Sequence, residues 1–181
     1  MKVVHLLRHA KSDWGDPALN DHERPLNKRG IKAAKAMARR LAAENFEIDA
    51  VFCSTAKRAR ETFGLLDLPL RKVALSFHDA LYMVSPGELL AFIRRAPENA
   101  ASIMLVGHNP ATHELALALT ARAAPGQRQA FAALKEKYPT GALCSIRFAV
   151  PHWRQVAPAT GTLLRFLRPR DLKAGRRSPR R

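Results

Sequence analysis

The sequence predicts an α/β protein: a three-layer αβα sandwich with a mostly parallel central sheet. Two observations carry this expectation. Short apolar runs alternate with longer stretches of helical periodicity, the pattern of strands joined by crossover helices. The residues best suited to chemistry also fall where apolar runs end, the edge at which open α/β sheets hold their ligands. A chain of 181 residues suits one domain with ample length to bury a core.

Val3–Leu7 is a continuous apolar run, too short for a helix, and reads as a buried strand. Gly30 leads into Ile31–Ala43, an Ala-rich helix with Ile31, Ala34, Met37, Ala38 and Leu41 on its apolar face and Lys32, Lys35 and Arg39 opposite. Asp49–Cys53 is a second buried strand, and Ser54 or Thr55 can cap the helix Lys57–Leu66 that follows. Pro69 ends that unit. Val73–Phe77 reads as a third strand, near an edge because Arg71 and Lys72 precede it. Ser85-Pro86-Gly87-Glu88 has the form of a capping box with Pro at the first helical position, and Leu89, Leu90 and Ile93 supply that helix's apolar face. Ser102–Val106 is the clearest strand. Asn109 or Thr112 opens a helix carrying Leu115, Leu117 and Leu119, and Arg128–Lys137 is helical beyond the Pro125-Gly126 break. Leu143–Val150 and Thr162–Leu167 alternate as two closing strands, read as an antiparallel pair. The domain therefore runs over 1–172, and 173–181 reads as a basic, disordered tail.

Composition narrows the function classes. At 47% hydrophobic residues the chain is globular, and no apolar run approaches the roughly 20 residues of a membrane helix. The N-terminal apolar stretch is cut short by Arg8 and His9, so no signal peptide is expected and the cytoplasm is the default location. Cys53 and Cys144 stand apart with no metal or redox spacing, which makes both buried small hydrophobes. The net charge is +16, of which +7 lies from Arg165 onward. Such a balance favours phosphorylated substrates, nucleic acid or other polyanions, the last two through the tail. No membrane partner is expected, and oligomeric state is not legible.

Three motifs close predicted strands: Arg8-His9-Ala10-Lys11-Ser12, Ser54-Thr55-Ala56-Lys57-Arg58-Ala59-Arg60-Glu61-Thr62, and Gly107-His108-Asn109-Pro110. Together they bring two arginines and two histidines to one sheet edge. Arginine offers a planar fork of donors to phosphate oxygens, and imidazole can attack phosphorus. No helical His-Glu pair, aspartate cluster or Walker loop points to a metal or a nucleotide cofactor. No cofactor and no metal are expected.

These motifs, with the run Asp21-His22-Glu23-Arg24-Pro25-Leu26-Asn27-Lys28-Arg29-Gly30, resemble the histidine phosphatase (phosphoglycerate mutase-like) superfamily. The short chain and Tyr138-Pro139-Thr140-Gly141 resemble its SixA-like phosphohistidine phosphatase branch. The resemblance implies a phosphoglycerate mutase-like fold and a phosphatase in which His9 becomes phosphorylated. Arg8, Arg58 and an imidazolium at His108 would hold the three non-bridging oxygens. Ser12 and Asn109 join them as phosphate-binding candidates, Asn109 reading equally as a helix cap. Lys11 is a further phosphate-loop candidate, otherwise a turn residue; Trp14 is placed at the mouth of the site or, equally, in packing; and Arg24 is a candidate substrate-side cation with a salt bridge within its turn as its plainer role.

The sequence also departs from the family pattern. Ala10 stands where the larger mutases carry Gly, and Gly15 follows Trp14 where they carry Asn. The usual glutamate general acid after the third strand is missing; Asp79 and Glu88 are the nearby carboxylates. A missing acid favours substrates with an easy leaving group, phosphohistidine above all. The expected substrate is thus a phosphorylated molecule, and specifically a phosphohistidine protein. The other readings are a phosphatase for small phosphate esters or nucleotides, and a non-catalytic polyanion-binding module.

Overall fold

A computed structural model describes residues 1–68 and 74–172. Seven strands form one sheet: β1 (Lys2–Arg8), β2 (Ala50–Ser54), β3 (Ala74–His78), β4 (Ser102–Gly107), β5 (Thr120–Ala123), β6 (Leu143–Phe148) and β7 (Gly161–Leu167), in the order β3-β2-β4-β1-β6-β7-β5. β3, β2, β4 and β1 pair in parallel. β6 runs antiparallel to both of its neighbours, and β5 pairs in parallel with β7. β6 alone is reversed, so the sheet is mostly parallel. The expectation for Val73 and for the tail at 173–181 falls outside the described residues.

Among the described residues, five α-helices cover the sheet: α1 (Lys28–Ala43), α2 (Lys57–Gly64), α3 (Pro86–Arg94), α4 (Ala111–Leu119) and α5 (Arg128–Glu136). Side chains alternate across β1. Val4 and Leu6 enter one core with Leu89 and Ile93 of α3, Leu115 and Leu119 of α4, and Leu134 of α5. Leu7 enters the other with Met37 and Leu41 of α1 and Phe63 of α2. This is the three-layer αβα sandwich, with α1 and α2 on one face and α3–α5 on the other.

Local chemistry sets the helix starts. Asn27 caps α1 by accepting from the Gly30 amide at 2.9 Å, which begins the helix at Lys28 rather than Ile31. Ser85 and Glu88 form the expected capping box on α3. α2 and α4 differ from expectation. Neither is capped by a side chain, because Ser54, Thr55 and Asn109 have partners in the site instead.

α1 also sits rotated from its expected face. Gly30, Ala34, Met37 and Leu41 are buried, whereas Ile31 is 38% exposed. The cause is Gly30: a Cβ built there would lie 2.2 Å from the Lys11 carbonyl oxygen. Only a glycine lets the helix start approach that backbone so closely, and the close approach turns Ile31 outward.

Candidate active site

The parallel strands place Arg8, Ser54, His78 and Gly107 at one edge of the sheet, each at a strand's C-terminal end. His9 follows β1 and His108 follows β4. Their rings lie 5.0 Å apart, and both residues are buried. The His9 amide donates to the Gly107 carbonyl at 3.0 Å, which fixes one motif against the other.

His9 Nδ1 lies 2.7 Å from the Ala10 carbonyl oxygen. A carbonyl can only accept, so Nδ1 carries the proton and the Nε2 lone pair is left without a protein partner among the described residues. Burial pushes the His9 imidazole down to about 3, helped by His108 and by the Arg58 and Arg8 guanidiniums. The ring is therefore neutral near pH 7 and can attack an electrophilic phosphorus through Nε2. The Ala10 amide behind it donates to Thr62 Oγ1 at 2.9 Å, and that hydroxyl donates to the Arg58 carbonyl at 2.6 Å. Arg58 and Thr62, four residues apart, thus tie α2 to the loop that follows His9.

His108 is held by Ser54 Oγ at 2.9 Å from Nε2, and Arg58 Nη2 lies 3.4 Å from Nδ1. Since the guanidinium can only donate, Nδ1 is the acceptor and Nε2–H donates to Ser54. Burial and the Arg58 charge push His108 down to about 4. The expectation of an imidazolium is corrected for the ligand-free protein: with a guanidinium beside it and little water, the ring stays neutral.

Arg8 Nη1 donates to the Tyr138 carbonyl at 2.8 Å, while its Nε is buried without a partner among the described residues. A buried unsatisfied donor costs roughly 1–3 kcal/mol, a cost that an anionic oxygen would remove. Asn109 Nδ2 donates to the same Tyr138 carbonyl at 3.2 Å, so Asn109 braces Arg8's anchor rather than capping α4. Its Oδ1 is likewise buried and, among the described residues, unpartnered.

Arg58 meets a group that sequence reasoning did not single out. Both of its terminal nitrogens bond Asp21, one to the carbonyl and Nη2 to Oδ2 at 2.8 Å. Tyr82 donates to Oδ2 at 2.7 Å, and Arg24 Nη1 donates to Oδ1 at 2.8 Å. The Tyr82 hydroxyl, with the two guanidiniums, holds the Asp21 carboxyl below its ordinary value. Any anion brought to Arg58 would therefore share it with a carboxylate.

Ser12 is buried, and its Oγ accepts from Arg24 Nη2 at 2.7 Å. Arg24 is itself buried, and its Nη1 and Nε donate to Asp21 Oδ1 and to the Asp13 carbonyl. It shapes the loop instead of facing substrate, as its plainer reading has it. Trp14 is 70% exposed over the Arg24 guanidinium, 3.1 Å from ring centroid to Cζ, so it has no packing role in the core. Lys11 is exposed.

The carboxylates expected as stand-in acids are engaged elsewhere. Asp79 Oδ1 accepts from Thr55 Oγ1 at 2.6 Å, and Glu88 is held by Ser85 at 2.6 Å. Both thiols are buried; burial pushes Cys53 up to about 12 and Cys144 further, so neither ionises near neutrality. Among the described residues no group of three or more His, Cys, Asp or Glu is arranged to hold a metal ion, and no helix is long and apolar enough to cross a membrane.

A doubly covered, mostly parallel sheet with two histidines and two arginines gathered beyond its strand ends suits phosphoryl transfer, and comparison with known proteins gives a hydrolase of that class. Residues 4–89 match the model described as Histidine phosphatase superfamily (branch 1). An uncharacterized protein of Mycobacterium tuberculosis is 37% identical over 170 residues, covering 91% of this chain and all of that one. The solved structure named for phosphohistidine phosphatase SixA of Nakamurella multipartitia is 27% identical, with a TM-score of 0.78 over 93% of this chain and 96% of that one. Its namesake from Agrobacterium tumefaciens is 29% identical, with a TM-score of 0.75 over 93% and 98%. The chain belongs to the histidine phosphatase superfamily, in its SixA-like branch.

Proposed function

We propose that this hydrolase is a metal-independent protein phosphohistidine phosphatase that works through a phosphohistidine on His9. The observation that carries the reading is the pairing of a neutral, Nδ1-anchored His9 with a site whose carboxylates are all engaged. Nε2 of His9 attacks phosphorus, and a new N–P bond forms as the bond to the substrate imidazole breaks. Water then attacks the phosphorus, the bond to Nε2 breaks, and inorganic phosphate leaves.

Arg8 and Arg58 hold the equatorial oxygens, where charge accumulates in transfer. His108 donates through Nδ1 once Ser54 Oγ donates to Nε2 or the ring takes a proton, with Ser12 and Asn109 closing the phosphate site. Asp21 stays ionised beside Tyr82 and Arg58, so it has no proton to give an alkoxide. A departing imidazole needs little such help. The names carried by the relatives at 27% and 29% identity support the same substrate class.

The test compares kcat/KM for a phosphohistidine peptide, phosphoramidate and glycerol phosphate. The phosphoramidates are expected to exceed the alkyl ester by about a hundredfold or more, the order of a general acid's contribution. Comparable values would overturn the reading and require a working acid at Asp79 or Glu88.

A further inference from the structure

We propose that the outward face of α1 is a docking surface for an acidic protein helix, continuous with the His9 site; this rests on the phosphohistidine-protein reading above. Lys28, Lys32, Lys35 and Arg39 recur at helical spacing and are all exposed. They lie about 200° around the helix from Gly30, Ala34, Met37 and Leu41, the buried row. The four cations therefore form one straight stripe about 16 Å long.

Nothing within α1 neutralises the stripe. The helix contains no acidic residue, and among the described residues none of the four cations takes part in an ion pair. Four like charges on one face repel one another, a cost that an oppositely charged partner would relieve. Ile31 stands beside them, and with the four cations lines a shallow open depression.

The stripe begins at the site. The Asn27 amide donates to the Lys11 carbonyl at 3.0 Å, and Gly30 lies against the same oxygen. Lys28 is thus one residue beyond an anchor on the loop that follows His9. A phosphoryl group seated at His9 would leave the body of its carrier free to lie along α1.

The chemistry of the surroundings selects a protein over a nucleic acid. Ile31 offers an apolar contact that a phosphodiester chain cannot use. The loop bordering the other components of the site carries Asp13, Asp16, Asp21 and Glu23, which would repel a continuous polyanion passing through. A helix with carboxylates at i, i+4, i+7 and i+11 matches the stripe and can turn its remaining charges away.

The test uses the full chain, a variant with Lys28→Gln, Lys32→Gln, Lys35→Gln and Arg39→Gln, and a control with Arg95→Gln, Arg122→Gln, Arg147→Gln and Arg154→Gln. The control removes the same charge from exposed positions elsewhere. Circular dichroism and melting establish that all three are folded. The probe is a helical peptide with Glu at the four matching positions, used unphosphorylated for binding and with a terminal phosphohistidine for turnover.

The stripe variant is expected to bind the peptide about tenfold more weakly at low salt, while the control loses less than about threefold. KM for the phosphorylated peptide should rise by a similar factor, with kcat and small-phosphoramidate turnover changed less than about twofold. Equal losses in both variants, no peptide binding by the parent chain, or tighter stripe-dependent binding of single-stranded RNA of equal charge would each overturn the proposal. Stripe-dependent peptide binding by a parent that cannot turn over phosphohistidine would uphold the docking surface and sink the proposed function instead.

Discussion

Acid should destabilise this protein partly through His5, a residue with no part in the chemistry. His5 lies in β1, 5% exposed, with Nδ1 2.8 Å from Ser145 Oγ and its ring edge-on to Phe46 at 4.7 Å. Burial, with the Arg165 guanidinium adding to it, pushes His5 down to about 3. In the unfolded chain the ring returns to its ordinary value of about 6.5. The folded value is the lower one, so unfolding takes up a proton between the two. Stability contributed by the neutral ring is intact above about pH 6.5 and is lost as pH falls towards 3. At pH 5 the loss is about 2 kcal/mol, since each pH unit below 6.5 is worth about 1.4 kcal/mol.

His5→Asn retains a donor near the Nδ1 position and removes the titration. The assay is urea unfolding at half-unit intervals from pH 7 to 5. The variant is expected to be less stable at pH 7 through lost packing, but its stability should fall with acid about 1.4 kcal/mol per pH unit less steeply than the parent's. Identical slopes would show that His5 is not held neutral in the folded protein.

Four further outcomes follow from the site. Gly30→Ala places a Cβ against the Lys11 carbonyl and should cost about 1–3 kcal/mol in denaturant unfolding, with a lowered kcat/KM as the Lys11–Ser12 loop shifts. Asp21→Asn removes the charge competing for Arg58, so vanadate or tungstate should inhibit several-fold more tightly, read as Ki at fixed substrate. Turnover should survive EDTA; reversible loss restored by a divalent ion would contradict the metal-independent reading. With His9 held near 3 and His108 near 4, kcat/KM should show no acid limb at 6.5 between pH 7 and 5.

Most of the sheet was legible because buried parallel strands leave continuous apolar runs, and β1, β2 and β4 fall within a residue of expectation. β5 was not, since Thr-Ala-Arg-Ala has neither alternation nor bulk and forms only as the edge partner of β7. The rotation of α1 depended on how closely Gly30 approaches Lys11, a tertiary fact that helical periodicity cannot report.

In the site, the gathering of His9, Arg8, Arg58 and His108 was legible because all four stand in runs that close buried strands. Asp21, Tyr82 and Ser54 were not picked out. Asp21 meets Arg58 across 37 residues and Tyr82 across 61, and nothing in local spacing announces either pairing. The quoted runs did hold signals: Asp21 opens one of them, Thr62 closes another, and Tyr138 stands in a third. Tyr138 contributes a backbone carbonyl to Arg8 and Asn109, and a carbonyl has no sequence signature.

The central claim is that His9 carries the phosphoryl group during turnover. Rapid quenching of the full chain with radiolabelled phosphoramidate, followed by peptide mapping, tests it directly. The expected result is acid-labile, base-stable phosphate on His9, formed and discharged at rates that support turnover and absent from a folded His9→Ala protein that no longer turns over. Turnover retained by His9→Ala, or label found on another residue, would contradict it.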